Sequence, residues 1–334
     1  MQNRSASDEP LPAGLDGARV FVAGHRGLVG SAVLGELEAR GAAALVTRTH
    51  AELDLTDPAA VRCFLGRERP THIVVCAARV GGIAANMRYP AEFARTNLAI
   101  ASTVIHEAWR AGVRDLVYLA SSCIYPRECP QPIGEDALLA GPLEPTNRPY
   151  AVAKIAGIEM CWAYNRQYGT RYVALMPCNL FGPRDNFDLE TSHVLPALLR
   201  KVHEASRQPG AVVRAWGTGR PRREFLYSAD MARAVVHVAG LEPARLAALL
   251  DGDGPPLINV GSGEDITIAE LLDLIRDVVG HRGPVEWDPS RPDGTPRKLL
   301  DVTRIRALGW SPRVSLREGI ERCYEAFLAS DWAR

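Results

Sequence analysis

The first half of the chain carries short apolar runs without polar alternation: "ARVFVAG", "AALVTRT", "HIVVCAA", "DLVYLAS" and "RYVALMP". Between them lie stretches whose apolar positions recur at helical spacing. These are "SAVLGELEARG", closed by Gly41 as a C-cap, the proline-started "PAAVRCFLGRE", the long "YPAEFARTNLAIASTVIHEAWRAG", and the segment from Tyr150 to Tyr168. Strands that are apolar on both faces and joined by helices predict a parallel sheet covered on either side.

After about residue 180 the texture changes, with "WGTGRPRRE", "LDGDGPP" and "WDPSRPDGTPRK" separating the helical and strand-like pieces. The expected fold class is therefore α/β: a Rossmann-like, doubly wound parallel sheet followed by a smaller C-terminal α/β lobe that binds substrate. The reading divides the chain into a flexible tail (1–17), a dinucleotide-binding domain (18–180) to which later segments return, and the second lobe (181–330).

Composition narrows the class. With 334 residues, 47% hydrophobic, the chain can build one large domain or two coupled ones. Lys plus Arg and Asp plus Glu balance at 39 each, so neither a nucleic acid nor a membrane surface is an expected partner. The seven cysteines (63, 76, 123, 129, 161, 178 and 323) form no Cys-x-x-Cys pair, which argues against a disulfide framework and against a metal site. The start, "MQNRSASDEPLPAGLDG", has no signal-peptide core, and no run of about 18 apolar residues suits a membrane span. A cytoplasmic protein is expected.

Candidate chemistry begins at "GHRGLVG", Gly24 to Gly30, between the first strand and its helix. There the glycines let the backbone approach a pyrophosphate held at a helix N-terminus. Arg26 stands inside the turn and Arg48 follows the second strand, where an acidic residue would meet a free 2′-hydroxyl. Basic residues there suit a 2′-phosphate, so NADP(H) is expected rather than NAD(H). Asp54 and Leu55 in "ELDLTD" read as adenine contacts.

In "YAVAK", Tyr150 and Lys154 are four apart and share a helix face. A cation near the phenol is expected to lower its proton affinity, which makes it a usable acid or base. "LASSCIYP" ends the fourth strand, at the sheet edge where such folds bind ligands, and offers Ser121, or less favourably Ser122, as a second donor to a substrate oxygen.

The ordered strings "FVAGHRGLVGSA", "ARVGGIAAN", "SSCIYP", "LEPTNRPYAVAKIAGIEMC", "NLFGPRDNF", "SHVLPALLR" and "PDGTPRKLLDVTR" resemble the GDP-L-fucose synthases, within the extended short-chain dehydrogenase/reductases. The resemblance spans about residues 18 to 328. It implies an NADPH-dependent enzyme that epimerises C3 and C5 of GDP-4-keto-6-deoxy-D-mannose and reduces its C4 ketone. It further implies Ser121, Tyr150 and Lys154 as catalytic residues, with Cys123 and His193 exchanging protons at the ring carbons. Cys123 would share a strand face with Ser121 if the strand persisted.

For the cofactor the resemblance adds Gly24, Gly27, Leu28, Val29, Gly30, Ala77, Pro177, Asn179, Leu180 and His193 to Arg26, Arg48, Asp54, Leu55, Tyr150 and Lys154. For the GDP-sugar it implies Asn179, Lys201, Trp216, Arg223 and Lys298, with Arg222 able to exchange roles with Arg223. It also implies a homodimer through a four-helix bundle. GDP-colitose synthases, GDP-6-deoxyheptose epimerase/reductases and redox-neutral nucleotide-sugar epimerases are the neighbouring alternatives.

Overall fold

The apolar runs of the first half form β1 (Arg19–Ala23), β2 (Ala44–Val46), β3 (His72–Val75), β4 (Asp115–Leu119) and β5 (Arg171–Pro177). The structure, a computed structural model, describes residues 9–208, 210–250, 252–291 and 293–333, so the start of the expected tail lies outside the described residues. Between the strands run α1 (Leu28–Ala39), α2 (Pro58–Glu68), α3 (Ile83–Arg88), α4 (Pro90–Arg110) and α5 (Arg148–Tyr168). The limits of α2 follow from its ends. Asp57 accepts hydrogen bonds from the Ala59 and Ala60 amides, Pro58 opens the helix, and Arg69 closes it in the left-handed region at φ 45°. Helix α1 starts at Leu28 rather than at the expected Ser31, because Gly27 takes an extended N-cap conformation.

The second half supplies β6 (Asn179–Phe181), α6 (Val194–Ser206), β7 (Val213–Trp216), β8 (Arg222–Tyr227), α7 (Ser228–Ala239), α8 (Pro243–Leu250) and β9 (Leu257–Val260). These are followed by β10 (Asp265–Thr267), α9 (Ile268–Val279), β11 (Val285–Asp288), β12 (Arg297–Lys298), α10 (Thr303–Ala307) and α11 (Leu316–Leu328).

The main sheet has six strands in the order β2-β1-β3-β4-β5-β9, all paired in parallel. Helix α4 packs against both α2 and α5, and α1 packs against α7. Strand β9 and helix α7 thus bring the second half of the chain back to the first. Strand order reverses at β1, which opens a crevice beyond the carboxyl ends of β1 and β3.

The sheet core is built from Phe21, Val22, Val74, Val117, Leu175 and their neighbours. Phe21 meets Phe64 of α2 edge to face at 4.8 Å. Burying such a ring contributes about 2–3 kcal/mol. A second cluster, including Leu199, Val202, Leu272, Ile275, Ile320 and Phe327, lies under the outer lobe. There β8 is flanked by β10 and β12 and also pairs β6, while β7 and β11 form a parallel pair. Among the described residues, no helix is long and apolar enough to cross a membrane.

Candidate active site

Helix α5 can lie close against β4 because Gly157 faces Tyr118. A Cβ at Gly157 would sit 2.5 Å from the Tyr118 ring. That close approach brings Lys154, only 3% exposed, to the end of β4, where its ammonium donates to the Leu119 carbonyl at 2.8 Å. The same Nζ lies 4.8 Å from the Tyr118 ring centre and 6.0 Å from that of Tyr150.

Burial lowers the proton affinity of Lys154 to a pKa of about 8, against partial support from the Cys123 and Cys76 thiols. The expected lowering of the Tyr150 phenol does not occur. Burial pushes its pKa up, the Cys123 thiol adds to the rise, and only Ser121 opposes it. Desolvation is the largest influence on the phenol, while the Lys154 ammonium is turned onto a main-chain carbonyl. The phenol is therefore held in its acid form.

Ser121 is the last extended residue before a short 3-10 turn, Ser122–Ile124, so strand alternation ends and does not place Cys123. The turn places it instead. The thiol is buried, which raises its pKa, while Lys298, Ser121 and Lys154 each favour the thiolate. Ser121 thus faces both the Tyr150 phenol and the Cys123 thiol. Ser122 is buried in the turn.

His193 stands on another element, linked to Tyr150 through a chain of intervening contacts. Tyr150 meets Phe93 of α4 edge to face at 6.2 Å. Phe93 abuts Gly81, where a Cβ would meet its ring at 3.3 Å. The Gly82 amide donates to the Thr191 carbonyl at 2.9 Å, two residues before His193, the N-cap of α6. The imidazole is open to solvent yet walled by protein, and desolvation lowers its proton affinity. Asn97 holds this wall together: its side chain bonds the Arg79 amide (2.9 Å), the Arg79 carbonyl (3.0 Å) and the Phe93 carbonyl (2.8 Å). Each such bond contributes about 1 kcal/mol. The sequence reading singled out neither Phe93 nor Asn97.

The glycine turn fits a dinucleotide. Gly24, at φ +85°, would drive a Cβ to 2.7 Å from the Ala77 amide, and a Cβ on Gly30 would sit 2.1 Å from the Gly24 carbonyl oxygen. A Cβ on Gly27 would have the Gly24 carbonyl oxygen as its nearest neighbour, at 3.6 Å, so this position is not crowded. Leu28, Val29 and Gly30 form the first turn of α1, whose free amides suit an anion. An open groove of about 470 Å³ beside the turn is lined by His25, Arg26, Thr49 and Arg184, with Glu38 at its edge.

Arg48 is where the second strand delivers it, but its guanidinium pairs with Glu68 at 2.7 Å and lies over Phe64 at 5.2 Å. Asp54 is exposed and its carboxylate is occupied by the Thr56 amide and hydroxyl, at 2.9 and 2.8 Å. Leu55 packs partly buried beside the core. Pro177 ends β5, and Asn179 and Leu180 begin β6, with the Asn179 amide nitrogen donating to the Glu224 carbonyl at 2.9 Å.

The outer lobe gathers cations. Parallel pairing of β12 with β8 sets Lys298 beside Arg223 in register, and Lys298 also faces Cys123. Among the described residues, Arg223 bonds main-chain carbonyls, those of Arg222 and Asp293. Arg222 is paired with Asp265 at 2.9 Å. Lys201 donates to the Arg214 carbonyl at 3.0 Å and lies over Trp216, whose indole is 47% exposed.

The profile of the NAD dependent epimerase/dehydratase family matches residues 20–245. The chain is 53% identical to GDP-L-fucose synthase of Escherichia coli (strain K12) over 93% of this chain and 96% of that protein. It is 51% identical to GDP-L-fucose synthase 1 of Arabidopsis thaliana over 93% of each. Its fold matches the crystal structure of a GDP-D-glycero-L-gluco-heptose synthase from Campylobacter jejuni in the presence of NADPH. That match has a TM-score of 0.85 at 33% identity, covering 93% of this chain and 98% of the other. The chain belongs to the NAD-dependent epimerase/dehydratase family and, within it, to the GDP-L-fucose synthases.

Proposed function

We propose that the protein converts GDP-4-keto-6-deoxy-D-mannose to GDP-L-fucose, inverting C3 and C5 and then reducing the C4 ketone. The observation that carries this reading is the meeting of Ser121, Cys123, Tyr150 and Lys154 at the end of β4, with Lys298 entering from the outer lobe. NADPH, when bound, supplies the hydride that reduces C4.

Ser121 and Tyr150 donate hydrogen bonds to the C4 oxygen. That polarises the ketone, acidifies the hydrogens on C3 and C5, and stabilises the enolate formed as each is removed. The imidazole of His193 is held neutral and the Cys123 thiol protonated, which suits one to take a proton and the other to return one on the opposite face. Tyr150, held in its acid form, protonates the C4 alkoxide at the end. Lys154 anchors the floor of the site through Leu119 and offers its remaining protons to a bound ribose.

Gly24, Arg26, Gly27, Leu28, Val29, Gly30, Arg48, Asp54, Leu55, Ala77, Pro177, Asn179 and Leu180 would hold the dinucleotide along the crevice. Asn179, Lys201, Trp216, Arg223 and Lys298 would hold the GDP-sugar, so the outer lobe serves the substrate. A pair of chains joined through α4 and α5 suits the exposed Leu98, Val152 and Tyr168 on those helices. Seven unpaired cysteines suit a reducing cytoplasm.

The test is NMR identification of the product formed with NADPH from a panel of GDP-4-keto sugars. GDP-L-fucose from the 6-deoxymannose substrate is the expected result. Turnover only of a heptose or a 3-deoxy sugar would reject the assignment.

A further inference from the structure

Trp216 ends β7, and the parallel register of β7 with β11 pairs it with Asp288. The turn that follows bends back, its Arg291 amide donating to the Asp288 carbonyl at 3.3 Å. This puts the Arg291 guanidinium 5.0 Å from the centre of the Trp216 ring, the same distance as the Lys201 ammonium. Two cations therefore share one half-exposed indole.

Among the described residues, Arg291 has one long ion pair, to Asp288, and no carboxylate lies within ion-pair distance of Lys201. Asp288 lies 3.8 Å from the Arg291 Nε, and its carboxylate already accepts from the Ser290 amide and hydroxyl. Glu204, whose charge favours the protonated Lys201, pairs with Arg200 at 2.7 Å. Arg214 and Glu286 on the adjoining strands pair with each other at 3.4 Å. Burial first, and then the neighbouring Arg291, lower the proton affinity of Lys201.

The arrangement continues toward the catalytic cleft. The carboxylate of Asp293 accepts from the Thr218 amide and hydroxyl, each at 2.7 Å, while its carbonyl accepts from Arg223 at 3.4 Å. Arg223 in turn stands beside Lys298, which faces Cys123.

We propose that Arg291 is a phosphate-binding residue of the nucleotide-sugar site, resting on Trp216 in the free protein and turning with Lys201 onto the diphosphate when the nucleotide enters. A cation–π contact at an exposed indole is weak enough to be given up for a charge-assisted bond to phosphate. Arginine's planar fork suits two phosphate oxygens at once. The proposal rests on the GDP-sugar reading above.

The experiment is calorimetric titration of GDP, GMP and guanosine into the parent protein, Arg291→Gln and Arg291→Lys, at two salt concentrations, with thermal melts of each. Arg291→Gln is expected to melt like the parent, to bind GDP about tenfold more weakly, and to bind guanosine unchanged. Its GDP affinity is also expected to depend less on salt. Arg291→Lys should recover part of the loss. GDP affinity within twofold of the parent, or an equal loss for guanosine, would overturn the assignment of Arg291 alone. A parent protein that binds no GDP would overturn the GDP-sugar reading with it.

Discussion

Lys154 donates its ammonium to the Leu119 carbonyl at 2.8 Å, so the residue four along from Tyr150 is fastened to the sheet and not to the phenol. This fixes a sign. Its folded pKa of about 8 lies below the ordinary 10.5, so the folded protein releases this proton first and burial of the charge costs stability. The cost is complete below pH ~8 and is relieved as pH rises toward ~10.5. Lys154→Met should therefore melt no lower than the parent at pH 7. Any advantage should shrink toward pH 10, and turnover should fall at least about a hundredfold. Melting curves at the two pH values check the first part and NADPH oxidation the second.

Tyr150→Phe separates the two halves of the chemistry. Ser121 still reaches the C4 oxygen, so exchange of the ring hydrogens should slow less than reduction. Reduction loses its proton donor and should fall by about 10²–10⁴-fold. Mass spectrometry of the recovered ketone in D₂O, alongside NADPH absorbance, measures both. Equal losses would show that Ser121 cannot stabilise the enolate alone.

Two glycines of the turn should behave differently. Gly30→Ala places a Cβ 2.1 Å from the Gly24 carbonyl oxygen and should destabilise the protein by about 1–3 kcal/mol. Gly27→Ala meets nothing closer than 3.6 Å, so it should melt like the parent yet bind NADPH more weakly because the turn is where the pyrophosphate would lie. Thermal melts and NADPH fluorescence titration distinguish the two.

Asp185 gives a stability prediction away from the site. Burial raises its pKa from 3.8 to about 7, and one carboxylate oxygen has no partner. The folded state therefore holds the proton more tightly than the unfolded chain. This group's stabilising contribution is present below pH ~3.8 and is lost as pH rises through ~7. Asp185→Asn should remove that dependence, melting higher than the parent at pH 8 and close to it at pH 4.5. A parallel pH dependence in the two proteins would show that the carboxylate is not buried in solution.

Much of this was legible in the chain because it is local. Pro58 after Asp57 set one helix start, and the glycine triplet after an apolar run set the crevice. Tyr150 and Lys154 meet because helical spacing puts them on one face. What was not legible depends on distant partners. Arg48 is held by Glu68 and Phe64, which the fold alone brings to it. Arg222 is paired with Asp265, which stands on another strand. The Tyr150 phenol is governed by its surroundings more than by its cationic neighbour, and burial has no signature in a spacing. Arg291 lies in a proline- and glycine-rich stretch whose turn onto Trp216 is set by the β7–β11 pairing.

The central claim is that one constellation performs proton exchange at two carbons and reduction at a third. Incubating the protein with GDP-4-keto-6-deoxy-D-mannose and NADPH in D₂O, and reading the product by NMR, tests it directly. Deuterium at both C3 and C5, with one NADP⁺ formed per GDP-L-fucose, is the expected result. NADPH consumption with no deuterium in the ring, or ring exchange with no NADPH consumed, would contradict it.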